Sequence, residues 1–412
     1  MTSSSGTDGP GTPTGVGRRS DPGPSASTPD ECLGWTGSHH SRRSVIVSTA
    51  QSTSTPLRVG VVGLGWAGRQ HLQAYQAIEG VEVIGLAGKE TGLLAELGAE
   101  HGIDGLFEGW EELIAQPGLD AVSVAVPTFL HAPIAVAALD RGLHVLSEKP
   151  IARNAVEGRQ MVEAARRAGR VLDVAFNHRR RGDIRELKKI IEAGELGRPY
   201  YAKASWLRRS GIPGLGSWFT SRELAGGGPL ADIGVHVLDY ALHLLGEPKV
   251  LAVSAATYAE LGPRGRGGSG RAAADAARSA FEVEDFASAF LRLEGGGTLL
   301  IEAGWASYRN PDDLIDFTVY GTDGGAELRV EGASDTPVGT LKVFTETDGA
   351  NADRVVRAEP GRAHRHVVED FVDVVRGDPA GWTAHDGSLA LTRAEIIDAA
   401  YLSAEQNREV QL

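Results

Sequence analysis

From Leu57 onward the hydrophobic positions follow two alternating rhythms. Solid apolar runs stand at Leu57–Val62, Val81–Ala87, Ala121–Val126, His144–Ser147 and Val171–Phe176. Between them, the stretches from Gly68 to about Ala77, Leu93–His101, His131–Asp140 and Ala155–Ala168 repeat apolar residues at helical spacing. Buried strands alternating with helices predict right-handed βαβ units and a doubly wound parallel sheet covered on both faces. Past Pro199 the texture changes. Tyr200–Arg208, Lys249–Thr257, Phe286–Leu293, Thr298–Trp305, Leu314–Tyr320, Ala326–Val330 and Leu341–Thr345 read as strands, several alternating apolar and polar residues. That pattern predicts an α+β part built on a large, mostly antiparallel sheet with one face solvated or covered by a partner. One helix interrupts it, about Leu230–Leu245, and two close the chain, His366–Arg376 and Ser388–Asn407.

Residues 1–56 have neither rhythm. Ser, Thr, Gly and Pro dominate, a composition that cannot offset its ordering entropy by burial. The expected organisation is therefore a low-complexity head over 1–56, a Rossmann dinucleotide-binding domain over 57–178 and a substrate and oligomerisation domain over 179–412, with the closing helices free to pack back on the first. Ser41-Arg42-Arg43-Ser44 opens like a twin-arginine export signal, but Ser48-Thr49-Ala50-Gln51-Ser52 is polar where such a signal needs an apolar stretch. The composition break instead suggests a native start nearer Val45. Glu260–Ser279, rich in Gly, Arg and Ala, reads as a mobile loop.

Composition narrows the class. The 412 residues, 42% hydrophobic and 23% charged, contain no run long enough to cross a membrane. A net charge of −13 without a basic stripe disfavours nucleic acid. The single cysteine, Cys32, lies in the head, so the body has no disulfide framework, cysteine-ligated metal or thiol nucleophile, and a cytoplasmic setting fits.

Gly63-Leu64-Gly65-Trp66-Ala67-Gly68 closes the first strand. In a chain with 54 glycines about one G-x-G-x-x-G arises by chance, so the pattern gains force only from its place between a strand and a helix. There the glycines permit a tight turn and let a pyrophosphate sit on the helix N–H groups. The acidic residue expected about 20 positions on, for the adenosine ribose, is replaced by Gly88-Lys89. Room for a 2′-phosphate and a lysine to pair with it tilt the coenzyme toward NADP, while Glu90 could swing in and keep NAD.

Two further segments carry chemistry. Glu148-Lys149-Pro150 ends a parallel strand, the edge where such sheets collect ligands. A lysine there can hydrogen-bond a carbinol oxygen beside a nicotinamide, although alone it would read as a surface lysine before a turn. Gly226-Gly227-Gly228-Pro229 leads into a helix that sets Asp232 and His236 at i and i+4. A carboxylate one turn away can orient the ring of a general base. Asp239 and His243 continue the stripe, so part of it is structural.

The glycine turn, Pro127-Thr128 followed by His131, the Glu-Lys-Pro tripeptide and the Asp-x-x-x-His segment stand in the order and spacing of one family. From about Leu57 to Leu412 the chain resembles the glucose-fructose oxidoreductase, inositol dehydrogenase and rhizopine-catabolism (Gfo/Idh/MocA) oxidoreductases. Val283-Glu284-Asp285-Phe286 and Asn407-Arg408-Glu409-Val410 also match. The resemblance implies hydride transfer between NAD(P) and a hydroxyl or keto carbon of a sugar, glycoside or cyclitol. It implies Lys149, Asp232 and His236 as the catalytic group. His236 would exchange the hydroxyl proton, Lys149 would stabilise the oxygen's charge, and Asp232 would hold His236. It places Trp66, Pro127, Thr128, His131, Glu148 and Asn177 beside the coenzyme. His178, Arg179, Trp206, Arg208, Arg209 and Trp218 come from segments expected to face the substrate. No metal is expected, since His364 and His366 have no companion Cys or carboxylate motif. A homodimer or homotetramer through the second sheet is expected. Two other readings are a coenzyme-binding sensor without turnover, which would have no use for a proton-transfer pair, and glycoside cleavage through a transient ketone on retained coenzyme.

Overall fold

The computed structural model describes residues 55–268, 281–332, 339–382 and 384–412. All but the last two residues of the expected head, and the expected loop beyond Gly268, lie outside them. The described residues form one compact unit.

Six strands make the first sheet: β1 (Leu57–Val62), β2 (Val81–Ala87), β3 (Leu106–Phe107), β4 (Ala121–Val124), β5 (His144–Ser147) and β6 (Leu172–Val174). All are parallel, in the order β3-β2-β1-β4-β5-β6. Chain order reverses between β1 and β4, which opens a crevice beyond their carboxyl ends. Helix α1 (Trp66–Gln76) starts directly beyond that crevice.

The second sheet has nine strands. Its centre is β7 (Pro199–Arg208), which pairs parallel with Thr298–Gly304 and antiparallel with Asp313–Gly321; every other pairing is antiparallel. Along Phe286–Leu293 and residues 298–303 every second residue is buried and the rest are half-buried or exposed, so one face is packed and the other is open.

The closing segments return to the first sheet. In the helix His364–Arg376, Val367, Val368, Phe371 and Val372 are fully buried against Leu72, Tyr75 and Val61. Each such side chain contributes about 1.5–3 kcal/mol, enough to fix the helix start beside the glycine turn. The last long helix, Ser388–Gln406, packs on Ala155–Ala168 and on the strand Val250–Tyr258. No helix among the described residues is long and apolar enough to cross a membrane.

Candidate active site

The glycine turn divides its work among three positions. Gly63 has φ 101°, and a Cβ there would lie 2.1 Å from the Ala125 carbonyl oxygen. At Gly68 a Cβ would lie 1.9 Å from the Gly63 oxygen, so this residue packs helix against turn and does not line the cleft. Gly65 has nothing within 4 Å of its would-be Cβ. Its open side, at the positive start of α1, is where a pyrophosphate can approach backbone N–H groups.

From this turn a cleft of about 1020 Å³ runs to the second sheet. At one end stand Gly88, Lys89, Glu90, Glu108 and Trp110; in the middle Leu64, Trp66, Ala67, Pro127, Thr128 and Glu148; at the far end Lys149, Asn177, His178, Trp206, Arg208, Trp218, Asp232 and His236. A Gly88 Cβ would lie 2.5 Å from Leu64 Cγ and Cδ1 and 3.5 Å from Glu90 Oε2, so a carboxylate two residues later stands beside the expected acidic position.

At the far end Lys149 Nζ donates to Asp232 Oδ1 (2.8 Å) and to the Asp232 carbonyl (3.1 Å). The other carboxylate oxygen accepts from Trp305 Nε1 at 2.9 Å. Burial pushes the Asp232 pKa up, but the adjoining Lys149 outweighs it and holds the carboxyl below its ordinary range. The expected hold of Asp232 on His236 is not what the structure shows. Leu230–Gly234 follow a π turn before the α-helix Val235–Leu244 begins, and the carboxylate reaches Lys149 and Trp305 instead. His236 Nδ1 has no hydrogen-bond partner among the described residues. The ring lies 4.6 Å from His178 and 5.8 Å from Trp206, centroid to centroid. Burial, then the Lys149 ammonium, push its pKa well below the usual histidine value, so the imidazole is neutral.

The glycines before this helix let backbone pass close to its supports. A Cβ at Gly227 would lie 2.0 Å from Tyr401 Oη, and one at Gly228 2.2 Å from the Glu284 oxygen. Buried Glu284 accepts from the N–H groups of Gly228 and Leu230, both at 3.0 Å, and from Tyr401 Oη at 2.9 Å. It thereby caps the segment that carries Asp232 and His236.

Three expected site residues face elsewhere. Arg179 does not line the cleft; it pairs with buried Asp239, which also accepts from Arg393. Arg209 pairs with Asp312 outside the cleft, with side chains largely exposed. His131 is buried behind the cleft, its ring nitrogens 2.8 and 2.9 Å from the Pro150 and Val126 carbonyl oxygens, where it braces both loops. Conversely, the sequence reading missed Arg181, Asp313 and His364. Arg181 pairs with Asp183, and Arg208 with Asp313 at 3.3 Å. Asp313 also accepts from Trp206 Nε1, and Arg208 lies 4.8 Å over the Trp206 ring. His364, read as lacking a carboxylate companion, has one through the fold: its Nε2 is 3.3 Å from Glu148 Oε1, with His71 Nε2 3.2 Å from the same atom.

Comparison with known proteins gives this geometry a setting. Residues 57–176 match the GFO/IDH/MocA model for an oxidoreductase family with an NAD-binding Rossmann fold, and residues 184–327 match the GFO/IDH/MocA C-terminal domain. D-glucoside 3-dehydrogenase of Escherichia coli (strain K12) is 30% identical over 87% of this chain and 99% of its own. Myo-inositol 2-dehydrogenase of Thermotoga maritima is 26% identical over 86% and 98%. Levoglucosan dehydrogenase of Pseudarthrobacter phenanthrenivorans is 31% identical over 68% and 77%. A solved levoglucosan dehydrogenase, in complex with NADH and levoglucosan, superimposes with a TM-score of 0.72, at 25% identity over 86% of this chain and 99% of that one.

Proposed function

The chain belongs to the Gfo/Idh/MocA family of NAD-binding oxidoreductases, and from that premise we propose that it oxidises, or in reverse regenerates, a hydroxyl of a neutral sugar or glycoside with NAD(H). The carrying observation is the convergence of Lys149, Asp232 and His236 at the inner end of one continuous cleft that begins at the glycine turn. A bound nicotinamide supplies the hydride acceptor or donor. The chain's own residues handle the proton and the charge. Neutral His236 takes the hydroxyl proton, and the Lys149 ammonium stabilises the negative charge that develops on the oxygen. Asp232, fixed by Trp305, keeps Lys149 aimed. Proton exchange of this kind contributes about 10²–10⁴-fold.

Substrate class follows from charge matching. Arg181 and Arg208, the arginines at the sugar end, are already paired with Asp183 and Asp313. Their remaining donors suit hydroxyls, and Trp206 and Trp218 offer faces for the ring. The relatives that act on glucoside and levoglucosan support a neutral substrate of this kind.

For the coenzyme, the Glu90 carboxylate beside Gly88 favours a free ribose 2′-OH over a phosphate, and Glu108 at the same end of the cleft adds to it. This weighs against Lys89 and the NADP preference expected from sequence. The proposed organisation keeps coenzyme binding to 57–178 and substrate binding to 179–412, in a cytosolic homodimer or homotetramer joined through the open sheet face; light scattering giving a monomer mass would refute the assembly.

The experiment is titration of the purified full-length chain with NADH and with NADPH by nicotinamide fluorescence, followed by turnover on a panel of glucosides, anhydrosugars and inositols. NADH binding about tenfold tighter or more, with turnover of a neutral sugar, is expected. Tighter NADPH binding would overturn the coenzyme assignment, and turnover confined to uronates or sugar phosphates would overturn the substrate class.

A further inference from the structure

Beside the middle of the cleft lies a cluster that the hydride-transfer chemistry does not use. His71 comes from α1, Glu148 from the end of β5, and His364 from the first position of the helix that closes over both. All three are buried, His71 completely. His71 Nε2 and His364 Nε2 stand 3.2 and 3.3 Å from the same oxygen, Glu148 Oε1. Two imidazoles and a carboxylate thus converge, each offering one ligand atom.

The directions matter as much as the distances. Glu148 Oε1 and His71 Nε2 have no hydrogen-bond partner among the described residues although they are this close and shielded from solvent. A hydrogen-bonded triad would aim its N–H groups at the oxygen. Ligand atoms around a metal aim at a common point between them instead. Tetrahedral ligands about 2.0–2.1 Å from zinc stand roughly 3.3 Å from one another; the two imidazole-to-carboxylate spacings match this, and all three ligand atoms lie within 4.8 Å of one another. The outer arrangement is built around His71, while His364 Nδ1 has no hydrogen-bond partner among the described residues. His71 Nδ1 is 3.1 Å from Ser123 Oγ, which is 2.9 Å from Tyr75 Oη, all buried. A partner on the second ring nitrogen fixes the tautomer of a metal-binding histidine. Glu148 Oε2 accepts from the Lys149 N–H at 3.2 Å, and the His364 ring meets Trp66 edge-on at 4.9 Å.

We propose that His71, Glu148 and His364 bind one divalent transition-metal ion of the zinc type, which staples the closing helix to the glycine-turn helix and to the end of β5. Two histidines and one carboxylate are a donor set for such ions. Glu148 and His364 also line the cleft, and His71 lies behind them. The three ligands lie 77 and 216 residues apart along the chain, so the ion would tie segments that no local interaction joins.

The test uses the full-length chain, stripped with chelator and dialysed, then titrated with Zn²⁺ by calorimetry and with Co²⁺ by visible absorption. One ion per chain is expected, with the intense Co²⁺ bands of a four-coordinate site and a Zn²⁺-dependent rise in Tm. His71→Ala and His364→Ala should each weaken binding more than 100-fold, and Ser123→Ala, which frees the ring of a ligand, about 10–100-fold. His366→Ala, on a surface ring bonded to Arg362, is the control and should change nothing. Should His71→Ala fail to fold, Glu148→Gln keeps the side-chain shape and removes the anionic ligand. Absence of stoichiometric uptake by the wild type, or uptake equal in the wild type and the ligand variants, would overturn the proposal and leave the hydride-transfer reading untouched.

Discussion

Lys149 Nζ stands 2.8 Å from Asp232 Oδ1, joining the end of β5 to the π turn that begins the helix of His236. The two side chains are less than one-fifth exposed. Asp232 therefore serves the lysine, and the histidine is left with a neutral ring and a free Nδ1.

Removing either partner should affect stability and turnover in different proportions. Lys149→Ala strands a buried carboxylate and is expected to cost about 3–5 kcal/mol of stability and at least 100-fold in kcat. Asp232→Asn keeps one side-chain acceptor, for Trp305, and leaves Lys149 only the backbone carbonyl of the same residue, so stability should fall less while kcat still drops. His236→Ala should lower kcat at least 100-fold while coenzyme affinity stays near that of the wild type. Steady-state kinetics alongside urea unfolding separates these cases; near-normal kcat in Lys149→Ala or His236→Ala would remove them from the chemistry.

Asp239 continues the same helix but belongs to the scaffold. It is 1% exposed and accepts from Arg179 and Arg393, and Arg393 also reaches Glu247 at 2.6 Å. Asp239→Ala takes from Arg179 its carboxylate and from buried Arg393 one of two, and is expected to destabilise by about 3–5 kcal/mol. Arg179→Gln should lower the urea midpoint yet leave the sugar KM within about twofold. A tenfold rise in that KM with unchanged stability would return Arg179 to the substrate site.

Much of the architecture is legible because it is local. The strand–helix alternation from Leu57 to Phe176 and the two-residue periodicity of the later strands depend on neighbours in sequence, and the sheet topology follows them. The glycine turn and Glu148-Lys149-Pro150 are legible for the same reason. What resisted reading depends on rotation and on distance. Asn177–Arg180 form a 3₁₀ turn that ends in extended Arg181; Asn177, His178 and Arg181 line the cleft while Arg179 faces Asp239. An α-helical i,i+4 reading of Asp232 and His236 fails at a π turn that no residue pattern announces. The meeting of His71, Glu148 and His364 is invisible in sequence because the closing helix returns from the far end of the chain.

His144 gives the fold a titration of its own. Its Nδ1 accepts the Val171 N–H at 3.1 Å, and the ring lies 4.8 Å from Trp382. Burial first, and Arg170 second, push its pKa down to about 4. The unfolded chain takes up this proton near pH ~6.5, where the folded chain still refuses it. The contribution of the neutral ring is therefore complete above that value and is lost as pH falls toward about 4, by at most ~1.4 kcal/mol per pH unit. His144→Asn keeps an acceptor for Val171 but does not titrate. The stability advantage of the wild type over His144→Asn should shrink on acidification through this window; parallel curves would show that His144 is not the group responsible.

Gly65 and Gly68 belong to one motif yet should fail in opposite ways. Gly68→Ala places a methyl 1.9 Å from the Gly63 carbonyl oxygen, so helix and turn must separate. A loss of about 1–3 kcal/mol or more in unfolding free energy is expected. Gly65 has φ −65°, which alanine adopts freely, and open space above it. Gly65→Ala should change stability by less than ~0.5 kcal/mol, while the methyl occupies the approach to the α1 N–H groups and weakens NADH binding about tenfold or more. Thermal unfolding and fluorescence titration on the two variants give the four numbers required. Undiminished NADH affinity in Gly65→Ala would mean that the turn serves packing alone and that the coenzyme lies elsewhere in the cleft.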